Sequence, residues 1–225
     1  MNSIQLEPIG VVRSPYVSKY EAPRQPTADD RDDEAVIELF PHRNFEQALD
    51  DLDGFERIWV IALFDQAANW KPKILTPRDR MKRGLFATRS PHRPNPIALS
   101  VVKLLSVKGL AIHVQGLDLL SGTPVLDIKP YLPYADAFPD SRTGWLEDIS
   151  PRFFSIVIPD TILESIEDVL FKHVKRTLAV DPFPHPYRRI TCIADHTYEL
   201  AYRQWRITYE VDDDTVFVLS IVLHS

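Results

Sequence analysis

The sequence predicts a mainly β protein, α+β overall: a closed or nearly closed sheet first, then a small α+β unit. Three observations lead there. Nineteen prolines against seven glycines punctuate the chain. Proline lacks a backbone donor and is poorly tolerated inside helices and central strands, so regular elements must fall between prolines. Most of those intervals hold short apolar or alternating runs of strand length. No alternating βα rhythm accompanies them, and many strands with one short helix favour a sheet that closes over one wound with helices. With 225 residues, the chain reads as two domains, 1–150 and 151–225.

In chain order, residues 6–13 read as a first strand stopped by Ser14-Pro15. The stretch after it, with Pro23, Pro26 and the acids Asp29, Asp30, Asp32, Asp33 and Glu34, reads as a long loop, and loops of that length in compact domains usually have a function. A short strand is expected at 35–40. Asn44 then caps a helix with Phe45, Ala48, Leu49 and Leu52 at helical spacing and Gly54 beyond its end. The apolar run 58–64 suits a buried strand, and further strands are expected at 84–88, 97–107, 110–116 and 124–128.

The character changes after about Ser150. Thr161 and Glu164 form a capping-box pair before an apolar stripe of Ile162, Leu163, Ile166, Val169, Leu170, Val174 and Leu178. The proline-rich segment 181–186 must be extended and irregular. Trp205, Ile207, Tyr209 and Val211 alternate with polar residues as in a half-buried strand, and Asp212-Asp213-Asp214 turns the chain into a last strand over 216–223.

Composition is that of an ordinary globular protein, 44% hydrophobic, 26% charged and 10% aromatic. No run approaches the roughly 20 apolar residues of a membrane span, and the N-terminus lacks the pattern of a signal peptide. The single Cys192 excludes an intrachain disulfide framework and a cysteine-cluster zinc site. A soluble cytoplasmic protein is expected. The net charge is −6, but Lys71, Lys73, Arg78, Arg80, Lys82, Arg83, Arg89 and Arg93 are opposed only by Asp79, so that segment carries +7 and the remainder −13. A concentrated basic strip on an acidic body suits a polyanion; a solvated charged loop is the other reading.

Glycine-rich dinucleotide or phosphate loops, a G-x-S-x-G elbow and an H-E-x-x-H helix are all missing. The seven histidines do not pair at ligand spacing, so no metal is expected. Three segments remain. In 86–97, Pro94 and Pro96 stiffen a backbone whose free carbonyls and amides suit a purine edge, and Arg89 and Arg93 suit a carboxylate or phosphate. In 117–131, Gly122 supplies a turn, and Asp118 and Asp127 require partners such as a bound cation or Lys129. In 19–26, Arg24 and Gln25 lie on a proline-stiffened loop. Each has a structural alternative: a rigid strand connection, turn acids or a plain loop.

Together these segments are recognisable. I-G-x-V-R-S-P-Y (9–16), A-P-R-Q-P (22–26), D-G-F-E-R-I-W-V (53–60), A-T-R-S-x-x-R-P-N-P-I (87–97) and L-D-x-x-x-G-T-P-V-x-D-I-K-P-Y-L-P (117–133) closely resemble the TsaA/TrmO-like family of tRNA methyltransferases. Asp181-Pro182 and Trp205-Arg206-Ile207-Thr208 resemble the small C-terminal domain of its bacterial members. The resemblance implies a single-sheeted β-barrel methyltransferase domain using S-adenosylmethionine, with a C-terminal domain that aids tRNA binding. It implies methylation of N6 of threonylcarbamoyladenosine at position 37, beside the anticodon of threonine tRNA. A homodimer is implied as well, with the A-P-R-Q loop reaching the cofactor of the neighbouring subunit.

Carried over residue by residue, the cofactor contacts are Pro23, Arg24, Gln25, Gln66, Arg89 and the turn Asp118, Leu119, Leu120, Ser121 and Gly122. Asp65 stands where many members have histidine, and Ser121 where aspartate is common. Asp65 joins the cofactor set, and Asp65, Asp118 and His92 are candidate bases for removing the N6 proton. Lys71, Lys73, Arg78, Arg80, Lys82, Arg83 and Arg93 are the expected RNA contacts. Two alternatives stand beside this reading: a non-catalytic RNA- or nucleotide-binding regulator on the same barrel, and a methyltransferase with another acceptor.

Overall fold

The computed structural model describes residues 4–18, 21–22, 33–76, 81–149, 153–163, 166–184 and 189–224. They form two compact units, Met1–Ser141 and Arg142–Ser225.

The first unit contains β1 (Gly10–Arg13), β2 (Glu34–Leu39), α1 (Phe45–Ala48), β3 (Arg57–Leu63), β4 (Lys73–Leu75), β5 (Lys82–Gly84), β6 (Ile97–Lys108), β7 (Ala111–Gln115), β8 (Pro124–Pro130) and α2 (Pro133–Asp136). Six of these strands make a closed barrel in the order β1-β2-β7-β6-β3-β8, with β8 closing onto β1. All neighbours are antiparallel, so the sheet folds on itself and no edge is left unpaired. Side chains alternate in and out along each strand. The inward set includes Val12, Ile37, Ile58, Val60, Ile112, Val114 and Val125, all fully buried, and each contributes about 1.5–3 kcal/mol by leaving water. β6 serves two neighbours: it pairs with β3 from Ile97↔Leu63 to Lys103↔Arg57, then with β7 from Lys103↔Gln115 to Lys108↔Ala111.

β1 is pressed against β2 at Gly10, where an added Cβ would stand 2.3 Å from the Glu38 carbonyl oxygen. Backbone cannot yield there as a flexible side chain would. Gly10→Ala is therefore expected to destabilise the barrel by about 1–3 kcal/mol, read as a lower urea midpoint with unchanged m-value. An unchanged midpoint would contradict this packing.

Several elements depart from the sequence reading. β1 begins at Gly10, not at residue 6, because Pro8 has no N–H to give a ladder, although Ile9 N–H still reaches the Val125 carbonyl at 2.8 Å. The helix at Asn44 is a single turn. Asn44 sits at φ 60° and its side chain bonds Gln47 at 3.0 Å instead of capping backbone, and Leu52–Gly54 forms a separate 3-10 turn. The strand expected at 84–88 is a 3-10 turn, Leu85–Ala87, closed by Thr88 bonding the Leu85 carbonyl through both its N–H (3.0 Å) and its hydroxyl (2.8 Å).

The second unit packs a helix on one face of a five-stranded sheet. Its elements are β9 (Ser155–Val157), α3 (Asp160–Leu163), α4 (Asp168–Val180), β10 (Ile190–Ala194), β11 (Thr197–Tyr202), β12 (Trp205–Asp212) and β13 (Thr215–Leu223), and the sheet order is β10-β11-β12-β13-β9. The single long helix expected after Thr161 is two: Glu167 is extended (φ −70°, ψ 147°) just before α4. A continuous helix would stack Glu164 one turn from both Glu167 and Asp168, a repulsive like-charge arrangement; Glu164 itself lies outside the described residues. Leu170, Val174 and Leu178 are buried against Ile190, Leu200, Ile207, Tyr209, Val211, Val216 and Val218. The proline-rich segment is anchored by Phe183, edge-on to Phe154 (5.7 Å) and Tyr198 (5.6 Å), and by the buried Tyr209 hydroxyl donating to the Pro182 carbonyl at 2.5 Å. Among the described residues, no helix is long and apolar enough to cross a membrane.

Candidate cofactor site

The chain leaves β1 through Ser14 and Tyr16, leaves β3 through Asp65 and Gln66, enters β6 from the arginine–proline loop, and leaves β7 into the 118–122 turn. These points come together because antiparallel closure brings alternate strand ends to one side of a barrel.

The 118–122 turn is held by the N-terminal segment. The Ser14 hydroxyl donates to the Leu119 carbonyl at 2.8 Å. Ser121 N–H reaches the Tyr16 carbonyl and Gly122 N–H the Val12 carbonyl, both at 2.8 Å. Gly122 has φ +88°, a region that L side chains rarely adopt. Leu119 is buried, while Asp118, Leu120 and Ser121 are half-buried. Tyr16 is buried and its phenol donates to Asp33 at 2.7 Å.

Asp118 is fixed from inside the barrel. The hydroxyl of Ser100, 2% exposed on β6, donates to its Oδ1 at 2.5 Å. Ser100 was not singled out from the sequence, yet its signal is there. It occupies an inward position between Ala98 and Val102 on an alternating strand, and a polar group there needs a partner. Asp127 has another fate: its carboxylate pairs with Lys129 at 2.9 Å and bonds the Ile128 N–H, an exposed arrangement on the outer wall.

The arginine–proline loop folds onto itself and onto 64–71. Arg93 donates to the Thr88 carbonyl at 2.9 Å, and its guanidinium lies 5.6 Å from the centre of the Phe86 ring, so this side chain shapes the loop. The His92 Nδ1 is 3.1 Å from the Ala68 carbonyl, Lys71 N–H reaches the His92 carbonyl at 3.3 Å, and Phe64 N–H reaches the Pro96 carbonyl at 2.7 Å. A carbonyl only accepts, so in the neutral ring Nδ1 carries the proton and Nε2 keeps the lone pair. Arg89, Asp65 and Gln66 are exposed. Arg89 makes no hydrogen bond or ion pair with the described residues.

The basic strip contains a hairpin, β4 with β5, where the sequence predicts no strands. Ile74 and Arg83 face each other, as do Leu75 and Lys82. Ile74 is buried and Arg83 half-buried on one face, which leaves Lys73 and Lys82 exposed on the other. Lys71 is also exposed. Pro23, Arg24, Gln25, Arg78 and Arg80 lie outside the described residues. Among the described residues, no three His, Cys, Asp or Glu side chains are grouped to hold a metal ion.

Comparison with known proteins identifies the family and agrees with the fold. Residues 11–137 match the family model of the tRNA-methyltransferase O N-terminal domain. The tRNA (adenine(37)-N6)-methyltransferase of Escherichia coli is 34% identical over 203 residues, 84% of this chain and 86% of its own. A probable S-adenosyl-L-methionine-binding protein of Archaeoglobus fulgidus is 41% identical over 152 residues, 68% of this chain, and the match spans only 40% of that protein. The crystal structure of TrmO from Pseudomonas aeruginosa superposes with a TM-score of 0.65 at 32% identity, over 98% of this chain and 99% of that one. The chain belongs to the tRNA-methyltransferase O family.

Proposed function

We propose that this chain is an S-adenosylmethionine-dependent tRNA methyltransferase acting on N6 of adenine 37, with threonylcarbamoyladenosine in threonine tRNA as its acceptor. One observation carries the reading: an oriented carboxylate, a rigid arginine loop and a clamped backbone turn gather at one end of the barrel. That donor set fits the methyl donor, whose charged sulfonium and ammonium groups call for Asp118 and whose carboxylate calls for Arg89. Backbone of the 118–122 turn suits its polar edges, and Gln66 stands on the adjoining loop. When bound, the cofactor supplies an electrophilic methyl group; the residues of this chain hold, orient and deprotonate. A carbamoylated N6 is a poor nucleophile, and His92 Nε2 is the base we place there. The test is mass spectrometry of tRNA nucleosides from a deletion strain with and without this gene. Failure to restore the methylated nucleoside would overturn the reading, and restoration on unmodified adenosine would overturn the acceptor.

The exposed face of the β4–β5 hairpin suits RNA phosphates. Lys73→Gln with Lys82→Gln is expected to weaken tRNA binding and make its salt dependence shallower by about 0.7–0.9 per lost contact, with cofactor binding spared. Equal slopes in variant and unmodified protein would remove the hairpin from the RNA interface. An RNA-modifying role also supports a cytoplasmic location.

A homodimer is supported by the outer wall of the barrel. Cross-strand pairs Leu63↔Ile97, Ile61↔Leu99 and Trp59↔Val101 place apolar side chains on its solvent side, with Ile97 42% and Leu99 57% exposed. A contiguous apolar face of this kind marks an interface, and a second copy is the occupant we assign. Leu99→Lys is expected to shift the sedimentation coefficient to that of a monomer; an unchanged value would place the interface elsewhere.

A further inference from the structure

Phe86 keeps 78% of its surface in solvent, and Trp70 keeps 55%. Single exposed apolar residues are common on protein surfaces, but these two rings are not isolated. Lys71 N–H bonds the His92 carbonyl at 3.3 Å, and Leu85 N–H bonds the Pro72 carbonyl at 3.0 Å. Those bonds tie segment 71–72 to both ends of segment 85–92. Both rings therefore belong to one patch, with exposed Lys71, Lys73, Lys82 and Arg89. Asp79 is the only acid between residues 66 and 93, and it lies outside the described residues.

Phe86 is also held still. It is the middle residue of the 3-10 turn Leu85–Ala87. Leu85, 3% exposed, anchors that turn, and Thr88 closes it with two bonds to the Leu85 carbonyl. The Arg93 guanidinium lies 5.6 Å from the centre of the Phe86 ring, and its bond to the Thr88 carbonyl at 2.9 Å fixes it there. One guanidinium covers one face of a ring, and the exposure of Phe86 leaves the other face open. A flat apolar group is thus presented to solvent on rigid backbone, among cations.

Phosphate binding does not account for this ring. It has no net charge, and its negative π face adds nothing to attraction for a polyanion. Basic residues interleaved with exposed aromatics suit an unpaired nucleobase, which stacks on a ring while the cations meet its backbone. Transfer to N6 supplies the occasion. The acceptor adenine must leave the stack of its loop, and the base beside it then loses a stacking partner.

We propose that Phe86, backed by Arg93, is a stacking platform for an unpaired tRNA base beside the acceptor adenine. This rests on the RNA methyltransferase reading. It is tested on the full chain by fluorescence anisotropy with total tRNA between about 50 and 200 mM salt. Phe86→Ala is expected to weaken binding about 5- to 150-fold, the usual weight of one stacked base. Its salt slope should stay that of the unmodified protein, because no phosphate contact is lost. Lys73→Gln with Lys82→Gln gives the opposite signature, a shallower slope. Phe86→Tyr keeps a π face and should restore binding, whereas Phe86→Leu keeps apolar bulk without one and should not. Heparin, a polyanion without bases, should bind Phe86→Ala and the unmodified protein equally. The ring lies outside the core, so the S-adenosylmethionine-induced melting shift should stay the same in Phe86→Ala. Binding restored by leucine, or a melting shift lost with the ring, would make Phe86 a prop for its own loop and overturn the platform. If Phe86→Ala binds tRNA as the unmodified protein does while the Lys73/Lys82 variant is weakened, the platform falls and the RNA reading stands. If the unmodified protein binds no tRNA, the RNA reading itself falls.

Discussion

Asp118→Asn is expected to weaken S-adenosylmethionine binding about 30- to 150-fold, a loss of about 2–3 kcal/mol. Ser100 makes this carboxylate more than another acid on a turn. A hydroxyl 2% exposed donates to one of its oxygens at 2.5 Å, which restrains the side-chain torsions. Removing the charge takes away a pre-oriented partner for a cation, and the amide that replaces it presents a donor where an acceptor is needed. Ser100→Ala should weaken binding in the same direction by a smaller factor, since it frees the carboxylate to rotate without discharging it. Asp127→Asn is the control. That acid is half exposed and paired with Lys129 on the outer wall, where such pairs are worth about 0–1 kcal/mol. Cofactor titration of the three variants decides: equal loss for Asp127 and Asp118 would mean a global effect on the barrel.

How much of this was legible in the sequence follows from the range of the interactions. The closed sheet was, because prolines bound the strands and alternation marks their faces: the inward residues of β3, and of β6 as far as Leu104, are all buried. Ser100 was legible in principle, as a polar residue at an inward register. The β4–β5 hairpin was not, since strands of three residues with charged members give no periodic signal. The turn at Leu85 depends on a hydroxyl bond from Thr88 that local propensity does not announce. The split between α3 and α4 was missed because apolar spacing persisted across a cluster of acids. That Asp118 would meet Ser100, and Ser14 the Leu119 carbonyl 105 residues away, is set by strand order around the barrel, which no local pattern carries.

His92→Gln is expected to lower kcat about 10²- to 10⁴-fold, the usual weight of a general base, while leaving the KM for S-adenosylmethionine nearly unchanged. Its ring is tied through Nδ1 to the Ala68 carbonyl at 3.1 Å, and its own carbonyl is held by Lys71 N–H at 3.3 Å. The proton-accepting nitrogen is therefore chosen by the fold: Nε2 is the lone pair, and the loops 64–71 and 88–97 aim it together. That fixed orientation favours His92 over exposed Asp65 for taking a proton from nitrogen. The two variants separate these readings. With the histidine as base, kcat falls in His92→Gln and stays near that of the unmodified protein in Asp65→Asn. A variant at position 92 that keeps kcat would move the base to another residue. The carbonyl bond would then serve only to join two loops around the cofactor.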